Sequence, residues 1–193
     1  MGNPLNIVQG PANFYFAPFG SAEPADSAAT VTGGAPGGVW VPGGWTDSDV
    51  VVEEDQEWED IYVSQVPQAV GTRNTKYMVT VTTQMSEITV TNLQFVLNEM
   101  AVVSVNSAYT TIDRLQGNSA TQPDYAACIV DGWGPTLSTG LPARWRHTIR
   151  KVVSKPKIKR NYGLKKKVIY DVTLQGFFIS DSISPVHEIL QTA

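Results

Sequence analysis

Few residues in this chain could carry chemistry, and none of them stands in a recognised catalytic spacing. The two histidines, His147 and His187, lie far apart, and His187-Glu188 lacks the second histidine of a zinc-binding helix. The single cysteine, Cys128, sits in an apolar run, which predicts a buried side chain rather than a nucleophile and excludes an intramolecular disulfide. No serine stands in a Gly-x-Ser-x-Gly context. The sequence therefore predicts no enzyme, no cofactor and no metal site.

Two further segments could be mistaken for sites. The glycine-rich segment 33–44 has neither the Lys-Ser/Thr ending of a phosphate loop nor the GxGxxG spacing of a dinucleotide fold. The acidic run 53–60 could supply a carboxylate pair for glycoside hydrolysis. Such a run in a strand is more often a solvated or partner-facing surface, so a catalytic role is not favoured.

The distribution of charge is the strongest feature of the composition. The net charge is −4, yet residues 1–72 hold ten acids and no base, whereas residues 144–167 hold eleven bases and no acid. The two segments could fold against each other, stack copy on copy, or bind nucleic acid through the basic segment. The last option is not favoured, because the basic segment contains only Trp145 and Tyr162 as stacking aromatics.

Length and composition suit one domain. The chain has 193 residues, 42% of them hydrophobic, and we expect residues 1–193 to form a single domain. Residues 1–12 read as an extended arm, 21–49 as a long Gly/Pro loop, and 181–193 as a tail with a helical turn at His187 to Leu190. No secretory signal or apolar membrane span is visible, so we expect no membrane insertion.

Strand patterns dominate the remainder of the chain. Alternating or aromatic runs predict strands in these segments: 13–20, 49–66 (one strand or two), 75–85, 125–135, and two long strands within 146–180 joined by a basic turn. In the segment 75–85, Tyr77, Val79, Val81 and Thr83 should share one face. Several strands with little helix predict a β-sandwich or β-barrel.

Residues 86–100 are the one good helix candidate. Thr89 or Thr91 can serve as the N-cap. The stripe that should lie on a sheet consists of Leu93, Val96, Leu97 and Met100. Residues 101–109 could extend this helix or form a strand, and the pattern leaves both open.

The order of these features resembles the major tail tube proteins of long-tailed (siphophage-type) bacteriophages, particularly those of actinobacterial hosts. The resemblance rests on the opening NIVQGPANFYFAPFGSAEP and on the acidic WTDSDVVVEEDQEWEDIYV that follows the Gly/Pro loop. It continues with TKYMVTVTTQMSEITVTNLQFVLNEM, a strand running into a helix, and with the basic RHTIRKVVSKPKIK…KKKVIYDVTLQGFFIS. These pieces cover most of the chain in order.

The resemblance implies a mainly β fold, a sandwich or barrel of the tail tube type with one flanking helix and long loops and arms. It implies hexameric rings that stack into a hollow tube through which DNA passes without binding. The subunit would be made in the host cytoplasm and end in the virion tail. A tape measure protein, a tail terminator and distal tail proteins would be its partners beside further copies of itself.

Two groups of residues are candidates for this assembly. Those expected at the lumen or at ring contacts are Glu53, Glu54, Asp55, Glu57, Glu59 and Asp60. Those expected at ring contacts, as aromatic anchors or as cations facing these acids, are Trp40, Trp45, Lys155, Lys157, Lys159, Arg160, Lys165, Lys166 and Lys167.

Other functions remain open from the sequence. A tail terminator, a head-decoration protein or a type VI-like tube ring would share the fold but form a single ring or trimer. A carbohydrate-binding β-sandwich would use exposed tryptophans as platforms, and the candidates for these are Trp40, Trp45, Trp58 and Trp133. A mass that rises with protein concentration would separate the assembling proteins from the binding module.

Overall fold

The structure, a computed structural model, describes residues 8, 10–26, 36–87, 89–98, 104–106, 109–111, 123–155 and 167–191. Within these ranges the chain is mainly β. The strands are β1 Asn13–Pro18, β2 Val41–Pro42, β3 Val51–Val63, β4 Val66–Met85, β5 Ser104–Asn106, β6 Tyr109–Thr111, β7 Ala126–Thr136, β8 Pro142–Ser154, β9 Tyr170–Gly176 and β10 Val186–Leu190. The helix α1, Val90–Val96, follows β4.

Eight of these strands form one antiparallel sheet that folds over its own core. Its order is β2-β1-β7-β8-β9-β4-β3, with β10 also paired to β8, while β5 and β6 pair only with each other. Strands from both halves of the order contribute to one buried cluster, which includes Phe14, Phe16, Val79, Val81, Cys128, Ile149, Tyr170, Val172 and Leu174. This arrangement confirms the predicted sandwich-like β fold with one helix.

The helix α1 closes one end of the core. Thr89 is its N-cap, and the side-chain oxygen of Thr89 accepts a hydrogen bond from the backbone N–H of Asn92 at 3.1 Å, as one of the two predicted caps requires. Phe95 stacks on Phe16 with ring centroids 4.1 Å apart. Beyond the helix, the Asn98 amide donates to the carbonyl of Ser154 and accepts from its N–H, both at 2.7 Å. The helix is thus tied to β1 by stacking and to β8 by hydrogen bonds.

The alternation predicted for 75–85 is confirmed from Val79 onward. Val79, Val81 and Thr83 of β4 are buried on one face, and Met78, Thr80, Thr82 and Gln84 between them are less so. Tyr170, Val172 and Leu174 of β9 are buried in the same way.

In the helix α1 the predicted apolar stripe is right for Val96 and for the partly buried Leu93. Phe95, outside that stripe, makes the main aromatic contact. Met100 lies outside the described residues.

The end of the chain is organised differently from the prediction. Residues Val186–Leu190 form β10 and pair with β8 from Ile149 to Trp145, so the predicted helical turn is wrong. The two strands predicted in 146–180 exist, but β8 pairs with β9 only through Val152–Ser154. On the same edge of β8, the residues from Trp145 to Ile149 pair with β10 instead of β9. The hydrogen bonds that residues 186–190 form with the open edge of β8 outweigh the local helix preference of this short segment.

The long Gly/Pro segment 21–49 also contributes to the fold. Val41 pairs with Phe16 as part of β2, and Thr46 bridges to Met85 on β4. Trp40 packs in a second buried cluster with Tyr15, Ala17, Ala127 and Ile129, on the face of β1 and β7 opposite the main core. The predicted arm 1–12 and the basic turn near Asn161 lie largely outside the described residues.

Candidate assembly surface

The strands β3 and β4 continue as a two-stranded hairpin beyond the point where β4 leaves the core. Every residue from Glu53 to Tyr77 is exposed, whereas β4 is alternately buried from Val79 onward. From Glu54, which is paired with Val79, to the turn at Ser64 the hairpin extends roughly 30 Å at ~3.3 Å per residue. A two-stranded ribbon without a covered face is marginally stable in water, so burial against another surface would stabilise this hairpin.

The hairpin has open edges on both sides. The outer edge of β3 has no strand partner among the described residues, because β3 pairs only with β4. On its other side β4 pairs with β9 only over Thr80–Met85, so residues 66–79 leave a second free edge. Open edges of this length are templates for pairing with another chain.

One face of the hairpin is dominated by charge, and we call it the charged face. Alternation along β3 places Glu53, Asp55, Glu57 and Glu59 on it. On β4, Lys76 forms an ion pair with Glu57, and Arg73 Nη2 lies 2.6 Å from Glu59 Oε2. Glu53 and Asp55 have no hydrogen-bond or ion-pair partner among the described residues. The face therefore keeps a net charge of −2, from four acids and two bases.

The opposite face, the aromatic face, continues the inner side of the sandwich. It carries Trp58 and Tyr62, which are 60% and 65% exposed, and Tyr77 on β4. The Tyr77 hydroxyl donates to Glu54 Oε2 at 2.8 Å. Partial burial of the otherwise exposed ring, together with this hydrogen bond to a carboxylate, raises the pKa of Tyr77 to about 12, so its hydroxyl remains a neutral donor. Large exposed aromatics of this kind mark surfaces that become buried against a partner.

A β-bulge separates the base of the hairpin from its outer part. Glu57 pairs with Lys76 and Trp58 with Asn74, so Thr75 is an extra residue in β4. The Thr75 hydroxyl donates to the carbonyl of Glu57 at 3.1 Å. A bulge bends the strand and increases its twist, so it sets the direction in which the tip projects.

The two tryptophans of the long loop have different environments. Trp45 is 79% exposed, and its backbone N–H donates to Glu87 Oε1 at 3.0 Å. Gly44 before it has a φ of 77° and a Cβ there would meet the Glu87 carboxylate at 2.3 Å, so only glycine fits. Trp40 is buried and its indole N–H donates to the Ala22 carbonyl at 2.9 Å. The expectation of an exposed anchor is therefore wrong for Trp40, because the subunit itself covers that ring.

Part of the basic segment folds against the acidic segment of the same chain. Lys167 forms an ion pair with Asp47. Arg150 on β8 binds the Glu23 carboxylate through Nε and Nη2, and His187 Nδ1 on β10 lies 3.0 Å from Glu23 Oε2. Lys155 is exposed at the end of β8. The remaining predicted cations, Lys157, Lys159, Arg160, Lys165 and Lys166, lie outside the described residues.

The candidate chemical residues are packed as structural side chains. Cys128 is fully buried, and burial raises the pKa of its thiol, which makes it a poor nucleophile. His147 stacks on Trp145 and its Nδ1 lies 2.6 Å from Glu188 Oε1. The described part of the chain contains no cluster of three or more His, Cys, Asp or Glu residues that could hold a metal ion. Within the same residues, no helix is long and apolar enough to cross a membrane.

Comparison with known families assigns the chain to a structural class. A family model described as "Phage tail tube protein" matches residues 3–137, which include α1 and the whole β3–β4 hairpin. The chain belongs to the phage tail tube proteins. No curated protein matches the sequence. The family is a structural component of the virion tail and not an enzyme family, and its members assemble with their own copies into a tube.

The tail tube subunit has surface features that the sequence pattern did not single out. The strand patterns cover 49–66 and 75–85, so they do not predict the part of β4 from Pro67 to Asn74. Polar and apolar residues do not alternate in this segment, because neither of its faces is buried. Its sequence therefore looks like that of a loop. Arg73 and Lys76 partly neutralise the acids of β3, and this pairing can be seen only from the register between β3 and β4. Phe19, Lys151 and Phe178, which form a surface cluster, come from three separate segments and left no local pattern.

Proposed function

We propose that this tail tube protein assembles as hexameric rings that stack into a hollow tube, and that phage DNA passes through the bore. The observation that carries the proposal is the hairpin, which leaves both of its faces and both of its edges open in the subunit. A ring supplies what the hairpin lacks. The free edge of β3 in one subunit pairs with the free edge of β4 at residues 66–79 in the next, so six hairpins close a barrel without open edges.

The two faces of the hairpin have different roles within that barrel. The aromatic face, with Trp58, Tyr62 and Tyr77, lies against protein, because burying large rings stabilises the contact. The charged face, with Glu53, Asp55, Glu57 and Glu59, lines the bore, where it is solvated. A negative wall repels the phosphate backbone and releases no counterions, so DNA slides past without being held.

The remaining candidate residues act at contacts between subunits. Trp45, exposed on a loop fixed by Gly44 and Glu87, serves as an aromatic anchor for a neighbouring subunit. Lys155, exposed at the end of β8, and the cations of 157–166 face acids of the next ring. Lys167 contributes less, because Asp47 of the same chain already neutralises it.

We also propose the wider setting that the sequence resemblance implies. Residues 1–193 form one tail tube domain, since β8, β9 and β10, which lie beyond the matched residues, complete the same sheet. The tail is of the long siphophage type and the host is actinobacterial. The subunit is made in the host cytoplasm and meets a tape measure protein, a tail terminator and distal tail proteins during assembly.

Electron microscopy of the purified chain at rising concentration, with light scattering alongside, tests the assembly. We expect six-fold rings or hollow tubes of uniform width, with a mass that grows with concentration. A chain that remains monomeric at every concentration, and also in the presence of tail initiation complexes, would contradict the proposal.

The role of the charged face has a separate test in open-ended tubes. Glu53→Lys introduces a cation at a bore position that has no ion-pair partner among the described residues, and Asp26→Lys makes the same charge change at an exposed site outside the hairpin. Glu53→Lys tubes should retain short labelled duplex DNA at low salt and release it as salt rises. Wild-type and Asp26→Lys tubes should not retain it. Equal retention by both variants would place the charged face away from the bore.

A further inference from the structure

An exposed aromatic surface lies around the end of β9, where Gly176 pairs with Val152 of β8, and we call it the Lys151 patch. It consists of Phe19 after β1, Tyr125 before β7, Lys151 on β8, and Phe177, Phe178 and Ile183 after β9. Phe178 is 68% exposed, and Phe19 and Ile183 are also exposed. Beside them lies a surface pocket of about 210 Å³. Most of its lining is apolar, from side chains such as Phe19, Ile179 and Ile183, and the Glu23–Arg150 ion pair forms part of its wall.

The cation at the centre of the patch is held by rings rather than by an acid. Lys151 Nζ lies 4.3 Å from the centroid of the Tyr125 ring and 5.5 Å from that of Phe19. It donates to the Phe178 carbonyl at 3.4 Å. The described residues offer Lys151 no carboxylate, since the neighbouring Glu23 is bound to Arg150 and His187. The patch therefore combines apolar area with a positive charge that lacks a counter-ion.

The tip of the β3–β4 hairpin has the complementary composition. Ile61, Tyr62, Val63 and Val66 are all exposed around its turn. Asp60, next to them, has no hydrogen-bond or ion-pair partner within the described ranges. The hairpin as a whole carries six acids and two bases. Apolar side chains beside an unpaired carboxylate match the apolar pocket beside an unpaired ammonium.

Tip and patch belong to one chain but cannot meet within it. The patch lies at the level of the hairpin's base, since Gln175 of β9 pairs with Thr80 of β4, whereas the tip projects roughly 30 Å beyond that base. Two complementary surfaces that lie apart on one chain produce a head-to-tail contact between copies. A contact of this type, repeated from copy to copy, extends without limit unless it closes into a ring.

We propose that the Lys151 patch receives the hairpin tip of a second copy of this chain, with Asp60 of the incoming tip facing Lys151. This inference rests on the proposed tube, and it assigns one of the surfaces that join subunits. The rings of the patch bury the apolar tip, and the loss of water around Lys151 and Asp60 strengthens their attraction.

Site-directed cross-linking tests the contact directly. The chain Ser64→Cys/Ser182→Cys carries one thiol at the tip and one beside Ile183, while the native Cys128 is fully buried and does not react. A short bis-maleimide should convert assembled tubes of this variant into a ladder of covalent dimers, trimers and longer chains. Ser64→Cys/Ser138→Cys, with its second thiol on the exposed β7–β8 turn, is the matched control and should give no ladder.

Charge exchange tests the pair of residues. Lys151→Glu should raise the concentration needed for assembly about tenfold, and Asp60→Lys in the same chain should restore it. Lys151→Gln should have a smaller effect, and thermal unfolding of each variant should stay close to that of the wild type, since Lys151 is at the surface. Restoration by the second charge requires the two residues to meet.

The outcomes distinguish this inference from the proposed function. Wild-type tubes that give no ladder, or that give one equally with the Ser138 control, would overturn the docking of tip on patch and leave the tube itself intact. Normal assembly of Lys151→Glu would do the same, and would assign the patch to another partner. Failure of the wild type to form rings or tubes would instead count against the proposed function.

Discussion

At the residue scale, a buried ion pair lies across β7 and β8. Arg146 Nε and Nη2 donate to the two carboxylate oxygens of Asp131 at 3.1 and 2.8 Å, and both side chains are almost fully buried. Asp131 and Arg146 are directly paired in the ladder. Such a pair fixes register, because a slip along the strands would leave each charge buried without its partner.

Removing one member of this pair should destabilise the subunit strongly. Asp131→Ala leaves the Arg146 guanidinium buried and uncompensated, and we expect a loss of about 3 to 5 kcal/mol in the free energy of unfolding. Denaturant titration measures it. Glu59→Ala, which breaks the exposed pair with Arg73, is the control and should cost less than about 1 kcal/mol. Similar losses for the two variants would show that burial does not govern the Asp131 pair.

The Glu23 cluster makes a pH-dependent contribution. Hydrogen bonds from Arg150 and His187 lower the pKa of Glu23 below its ordinary 4.5, against a smaller opposing effect of burial. A lowered pKa stabilises the fold above the unfolded-state value, and this stabilisation is lost as the pH falls through the folded-state value. Between about pH 6 and about pH 3, Glu23→Gln should therefore lose less stability than the wild type. Parallel pH curves from thermal unfolding would refute the linkage.

At the element scale, the hairpin and the helix serve opposite purposes. α1 is fixed from both ends, by the Thr89 cap and by the Asn98 bonds to Ser154, and Phe95 is packed against Phe16. Among the described residues, the outer part of the hairpin has no strand partner beyond its own two strands. Stability is therefore concentrated in the sandwich and helix, and the hairpin is free to be specialised for assembly.

Shortening the hairpin should separate folding from assembly. Glu54 and Val79 are directly paired, so residues 55–78 can be replaced by an Asn-Gly turn that joins them. We expect a cooperative unfolding transition close to that of the wild type and a monomer that forms no rings. The Phe95→Ala variant is the opposite control, with a loss of about 3 to 5 kcal/mol of stability and an intact hairpin. Tubes formed by the shortened chain would remove the hairpin from the assembly.

At the scale of the whole molecule, charge is separated and only partly compensated. Glu23 and Asp47 from the acidic segment are neutralised by Arg150 and Lys167 within the chain. The hairpin acids Glu53, Asp55 and Asp60 are not paired in the part of the chain that the structure describes. The uncompensated charge is thus available for contacts between copies.

Assembly should consequently depend on salt. Raising the ionic strength from about 0.05 M to about 0.5 M screens the attraction between Asp60 and Lys151 and should raise the critical concentration for assembly. Lys151→Gln, which lacks the attraction, should show a shallower dependence over the same range. Light scattering gives both curves, and identical slopes would mean that this pair contributes nothing to the salt effect.

Prediction from the sequence worked best where one side of an element is buried. The alternation of Val79, Val81 and Thr83 and the cap at Thr89 were readable because core packing and capping leave local patterns. The outer part of β4 was not readable, since an element exposed on both faces has no such pattern. The pattern of β10 predicts a helical turn because its pairing with β8 is not decided locally: the paired residues Arg146 and Ile189 are 43 positions apart in the sequence.

Residue patterns alone predict a β-rich subunit with separated charges and without catalytic spacing, and the order of its features resembles that of the tail tube proteins. Composition and periodicity predict the β-rich fold because burial constrains residues one by one, whereas the tail tube class rests on the resemblance to a known family. Tertiary contacts were needed to show that Trp40 is internal and Trp45 external, and that four of the six hairpin acids lie on the face opposite the hairpin's aromatic side chains. Those outcomes depend on strand register and on contacts between distant segments, which local sequence patterns do not encode.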